Sequence, residues 1–169
     1  MNKRNIILIG MPGAGKSSVG VILAKVLGYE FIDTDLVIQH REKRLLREII
    51  ADEGNEGFLA IENEVNATLE ADKSVIAPGG SAIYGKEAME HFKEIGTIVY
   101  LKLSYEDLAK RLGNLKGRGV VLKEGQTLKD LYDERSKLYE QYAEITVDES
   151  GRDIQGLSLI HISEPTRPY

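Results

Sequence analysis

The sequence predicts an α/β domain built on a mostly parallel sheet. Three observations predict it. Apolar runs of strand length alternate with stretches of helical period along the chain. A glycine-rich turn, Gly10-Met11-Pro12-Gly13-Ala14-Gly15-Lys16-Ser17, joins the first run to the first helical stretch. The 169 residues, 42% of them hydrophobic, suit one domain with a real core.

Each element has its own warrant. Asn5 to Ile9 is an apolar run of the kind a buried parallel strand shows. Lys16 to Leu27 carries Val19, Ile22, Leu23 and Val26 at helical spacing, and Gly28 stops it. Tyr29 to Ile32 is a second strand, ending at Asp33-Thr34-Asp35. A polar helical stretch runs to about Asp52, where Gly54 and Gly57 break it, and Phe58 to Ala71 reads as a long helix. Ser74 to Ala77 is a third strand, followed by the turn Pro78-Gly79-Gly80-Ser81. Lys86 to Glu94 is helical, Thr97 to Leu103 a fourth strand, and Tyr105 to Leu112 helical. Gly113 to Gly125 lacks apolar periodicity and reads as a loop. Thr127 caps a helix to Tyr142, and Glu144 to Val147 is a fifth strand.

The glycine-rich turn carries chemistry. Strand, turn and helix give it the context of a phosphate loop. Gly10, Gly13 and Gly15 let the backbone fold back with its N–H groups inward. Together with the helix start, at Ala14 to Ser18, these groups suit the phosphates of a nucleotide. Lys16 adds a mobile positive charge, and Ser17 a hydroxyl for Mg²⁺.

Composition narrows the function classes. A net charge of −5 argues against a protein held to nucleic acid by phosphate contacts. No cysteine is present, so disulfides and thiolate metal sites are excluded. His40, His91 and His161 show no metal-ligand spacing. The apolar run before Gly10 is too short for a signal peptide or a membrane span, which makes a cytoplasmic location the expectation.

Phe31-Ile32-Asp33-Thr34-Asp35, read with the phosphate loop, resembles the shikimate kinase family. The resemblance covers about residues 3 to 155 and implies a three-layer fold with five parallel strands ordered 2-3-1-4-5. It also implies ATP as donor, Mg²⁺ as cofactor, shikimate as acceptor and a monomer. In that family the first aspartate, here Asp33, helps organise Mg²⁺, and the second, here Asp35, accepts from substrate hydroxyls. Gly79 and Gly80 fall in the family's substrate turn. Arg111 is similar to its adenine-stacking arginine, and Arg152 falls near its adenine loop. Arg118 lies in a lid-like loop of about 113–125, where the family carries a catalytic arginine, and Arg135 resembles its second substrate arginine.

Three departures stand out. The family pattern has Phe-Arg followed by Glu, and this chain reads Phe58-Leu59-Ala60-Ile61-Glu62. Leu59 stands where an arginine would grip the shikimate carboxylate, a paired contact leucine cannot replace. Ser81 replaces a third glycine, and Arg118-Gly119-Val120-Val121 lacks the usual proline. All three touch the acceptor side or the lid. Arg41, Lys43, Arg44 and Arg47 could supply a replacement anchor, or form a solvated helix face. Glu62 could orient Arg135 or be a surface glutamate, and Val65 and Leu69 read as core.

The reading is therefore an ATP-dependent kinase in which Lys16, Asp35 and Arg118 carry the chemistry. Two alternatives stay open: a sister kinase for another hydroxylated metabolite, and a non-catalytic nucleotide-binding module. The kinase domain is expected over 1–156. Leu157 to Tyr169 resembles the conceptual translation of a sequencing-library adaptor, and Pro165 and Pro168 argue against a helix there.

Overall fold

The computed structural model describes residues 4–113 and 124–149. Arg118, Arg152, most of the lid-like loop and the adaptor-like tail lie outside the described residues. The elements run β1 Asn5–Ile9, α1 Lys16–Leu27, β2 Glu30–Asp33, α2 Thr34–Glu42, α3 Leu46–Ala67 and β3 Ser74–Ala77. A 3₁₀ turn, Ala82–Tyr84, precedes α4 Lys86–Ile95, β4 Gly96–Lys102, α5 Tyr105–Gly113, α6 Leu128–Tyr142 and β5 Ile145–Asp148.

The five strands form one sheet in the order β2-β3-β1-β4-β5. Every pairing is parallel, with Ile7 opposite Ile76 and Ile98, Phe31 opposite Val75, and Val99 opposite Ile145. Buried parallel strands are apolar on both faces, and β1 shows why. Ile6 and Leu8 pack on one face with Val19, Leu23 and Ala24 of α1. Ile7 and Ile9 pack on the other with Met89, Phe92, Leu108 and Tyr139 from α4, α5 and α6. Asn5 stitches three elements at the sheet's other edge. Its side chain accepts from the Ser74 N–H at 3.0 Å and donates to Ala71 O and Ile95 O. A third cluster, Ile38, Ile49, Phe58 and Val65, seats α2 and α3, while Leu69 packs against the main core. Among the described residues no helix is long and apolar enough to cross a membrane.

One sequence expectation changes. The helix after β2 ends at Glu42 rather than about Asp52, because Lys43 turns left-handed at φ 55°. A new helix starts at Leu46, and Gly54, with non-helical φ 75° and ψ 176°, breaks it from the helical run that continues to Ala67, so the expected break at Gly54 is present. That break lets both halves of α3 face one cavity.

Candidate active site

The central strand β1 delivers the phosphate loop to the sheet's C-terminal edge, where open α/β sheets bind ligands. Gly13 and Gly15 take φ values of 90° and 85°, which winds the loop as an anion cradle requires. Gly15 is also the N-cap of α1 and brings no side chain to it, leaving the first helical N–H groups to a ligand. Ala14 is fully buried and ties down the turn through its N–H to Met11 O at 3.0 Å. The Lys16 ammonium donates to Gly10 O at 2.8 Å and Met11 O at 2.9 Å. Burial lowers its pKa to about 8, although the Asp35 charge opposes the shift.

β2 ends beside this loop. The Asp33 carboxylate caps α2 by accepting the Asp35 N–H at 2.9 Å. It makes no other hydrogen bond among the described residues, and neither does the Ser17 hydroxyl. Asp35 sits in the first turn of α2, and burial, with Asp33 as a like charge, raises its pKa to about 6. That still leaves it mainly ionised at neutral pH.

β3 ends in the Gly79-Gly80 turn. A methyl group at Gly79 would lie 3.0 Å from Asp35 Oδ1 and 3.1 Å from Glu62 Oε2. One at Gly80 would lie 2.8 Å from Pro12 and 3.0 Å from Arg135 Nη1. The turn therefore brings the phosphate loop, two carboxyl groups and an arginine together through missing side chains. Tyr139 of α6 donates to Gly80 O at 2.7 Å. Ser81 Oγ donates to Glu62 Oε1 at 2.7 Å.

Glu62 is buried at 1% exposure, not a surface glutamate, and burial pushes its pKa up to about 7. Its Oε2 has no hydrogen-bond partner among the described residues, nor has Nε of the buried Arg135. The Arg135 guanidinium lies 5.6 Å from the centre of the Tyr84 ring. Tyr84 donates to Glu134.

On the opposite side, Arg111 of α5 donates to Gly13 O at 3.0 Å. Glu149 follows β5 directly and is 1% exposed. Burial raises its pKa to about 7, with Arg111 and Lys16 pulling the other way. Sequence reasoning missed Glu149, Tyr84 and Tyr139. Glu149 had a signal: it closes a strand at the edge where parallel sheets build sites.

A cavity of about 1160 Å³ joins most of these groups, with Glu149 and Tyr139 outside its lining. Gly13, Gly15, Lys16, Ser17, Ser18, Asp33, Asp35, Gly79, Gly80, Arg111 and Arg135 all line it. Leu59 lines it too, with Leu46, Ile50 and Phe58. Of the four basic residues of the 41–47 stretch, only Arg47 reaches the cavity. Arg41 pairs with Glu64, and Arg44 with Glu42, Asp52 and Glu53, on the outer surface.

A phosphate loop at the centre of a 2-3-1-4-5 parallel sheet, facing buried carboxyl groups and arginines across one cavity, defines a P-loop kinase, a phosphotransferase. Comparison with known proteins narrows the class. The shikimate kinase family model matches residues 12–160. Shikimate kinase 2 of Yersinia enterocolitica is 34% identical over 154 residues, covering 86% of each chain. The structure of shikimate kinase from Acinetobacter baumannii in complex with shikimate has a TM-score of 0.81 at 33% identity, over 92% of this chain and 88% of that one. Shikimate kinase from Aquifex aeolicus follows with a TM-score of 0.73 at 30% identity, over 92% and 91%. This chain belongs to the shikimate kinase family. ATP is that family's phosphate donor.

Proposed function

We infer that this protein transfers the γ-phosphoryl group of ATP to a hydroxyl group of shikimate. The observation that carries the reading is the single cavity in which Lys16 of the phosphate loop meets Asp35, the Gly79-Gly80 turn and Arg135. The loop amides and Lys16 hold the transferring phosphoryl group and spread its charge. Asp35 orients the acceptor hydroxyl and takes its proton as the acceptor oxygen bonds to phosphorus. The bond to the bridging oxygen breaks, and ADP leaves with that electron pair.

Arg135 holds the acceptor, Arg111 and Arg152 the adenine side, and Arg118 the transferring group. Ser17 and Asp33 offer two hard oxygen donors, which fits Mg²⁺ retaining several waters. When bound there, Mg²⁺ adds positive charge against the phosphate oxygens. The catalytic unit is read as residues 1–156, acting as a monomer.

Leu59 in the cavity wall favours a second reading, a kinase for a different hydroxylated acceptor. A coupled ADP-release assay over a panel of hydroxy acids separates the two. Turnover highest with shikimate supports the first, and turnover only with another acid supports the second.

A further inference from the structure

The acceptor end of the cavity poses a charge problem. Shikimate carries a carboxylate, and a carboxylate leaving water needs a cation. Besides the apolar Leu46, Ile50, Phe58 and Leu59, the wall of α3 offers it the amide of Asn55 and the acids Glu56 and Glu62, none of them a cation. Among the described residues, the cations lining the cavity are Lys16, Arg47, Arg111 and Arg135. Lys16 and Arg111 are tied to loop carbonyls on the donor side. Arg135, buried against Tyr84, holds the acceptor from the α6 side and leaves the α3 side to another cation.

Arg47 differs from all three. It stands one residue into α3, beside Leu46 and one turn before Ile50, so the face that carries those side chains also carries it into the cavity. It is exposed, and it makes no hydrogen bond or ion pair among the described residues. Glu56, beyond the Gly54 kink, lines the same cavity and does not pair with it. The basic residues around it on the 41–47 stretch either pair outward or stay off the cavity.

We propose that Arg47 anchors the carboxylate of the acceptor, taking from the first turn of α3 the task that Leu59 on its second half cannot perform. The guanidinium offers a planar fork that matches the two oxygens of a carboxylate. This rests on the reading of shikimate as acceptor, so its test separates the two claims.

The test measures both binding and turnover on the full chain. Calorimetric titration gives Kd for shikimate and for its carboxamide, and the ADP-release assay gives kcat and KM for each. Arg47→Ala should weaken shikimate binding about tenfold to a hundredfold and raise its KM alike. The carboxamide should lose less than threefold. Arg41→Ala, off the cavity, is the control and should move neither. Leu59→Arg added to Arg47→Ala should restore the acid's affinity. Unchanged shikimate affinity in Arg47→Ala, or equal losses for acid and amide, overturns the proposal while leaving the kinase reading intact. Arg47-dependent shikimate binding without turnover upholds the anchor and overturns the kinase reading. Absence of both binding and turnover overturns both.

Discussion

Ser81 donates its hydroxyl to the buried Glu62 carboxyl at 2.7 Å, so the residue that replaces a glycine in the substrate turn holds an acid in the cavity wall. The contact ties the turn after β3 to the second half of α3. It also leaves Glu62 Oε2 beside Asp35 and Arg135 without a hydrogen-bond partner among the described residues.

Glu62 should make stability fall with rising pH. Its pKa rises from an ordinary 4.5 to about 7 on folding. The folded state thus holds the proton more tightly, and the gain is complete below about pH 4.5 and lost as pH rises through 7. Asp35 and Glu149, raised to about 6 and about 7, act in the same direction. Glu62→Gln keeps the acceptor for Ser81 and removes the titration. Urea unfolding of the ligand-free protein from pH 5 to 8 should show the variant gaining on the wild type with pH, by on the order of 3 kcal/mol. Parallel curves would remove Glu62 from this account.

ATP binding should draw in protons near pH 8. About half of Lys16 is neutral there in the free protein, and triphosphate beside it favours the charged form. Calorimetric titrations in two buffers of different ionisation enthalpy should report net uptake at pH 8. Lys16→Met should abolish that uptake and lower turnover by about 10²–10³-fold. Buffer-independent heats would mean that Lys16 does not meet the phosphates.

Gly79→Ala should damage turnover without damaging the fold. The new methyl group would lie 3.0 Å from Asp35 Oδ1 and 3.1 Å from Glu62 Oε2, so one of these groups must shift. Displacing Asp35 from the acceptor should lower kcat by about 10–100-fold, with an unchanged far-ultraviolet dichroism spectrum. A wild-type kcat would show that this approach is not needed.

Tyr139→Phe tests the support behind the turn. The lost hydrogen bond leaves Gly80 O without its phenol donor, at about 1 kcal/mol in urea unfolding. A larger loss of acceptor affinity than of ATP affinity should accompany it. Equal effects on both ligands would assign Tyr139 to general packing.

The parts of this molecule legible in the sequence are those where local pattern and tertiary environment agree. Lys16 to Leu27 and Ser74 to Ala77 fall where periodicity and flanking turns place them. The 2-3-1-4-5 strand order, carried by the resemblance rather than by periodicity, also holds. The α2–α3 boundary was hidden because a lysine, not a glycine, takes the left-handed turn at Lys43, whereas the interruption at Gly54 was legible from the glycine itself. Residues 82–84 form a 3₁₀ turn too short to carry a period. At the site, glycines, Lys16 and Asp35 announce themselves by motif. Glu62 and Arg47 stand in the sequence only with a surface alternative beside them, and the choice is made, as is the place of Tyr139, when α3 and α6 fold against the turn after β3.

The most direct test is the identity of the product. Incubation with ATP, Mg²⁺ and shikimate, followed by mass spectrometry and phosphorus NMR, should show one phosphate ester of shikimate formed for each ADP. Asp35→Asn should suppress both together. ADP formed with no shikimate ester, or a phosphate ester formed only on a different hydroxy acid, would contradict the account.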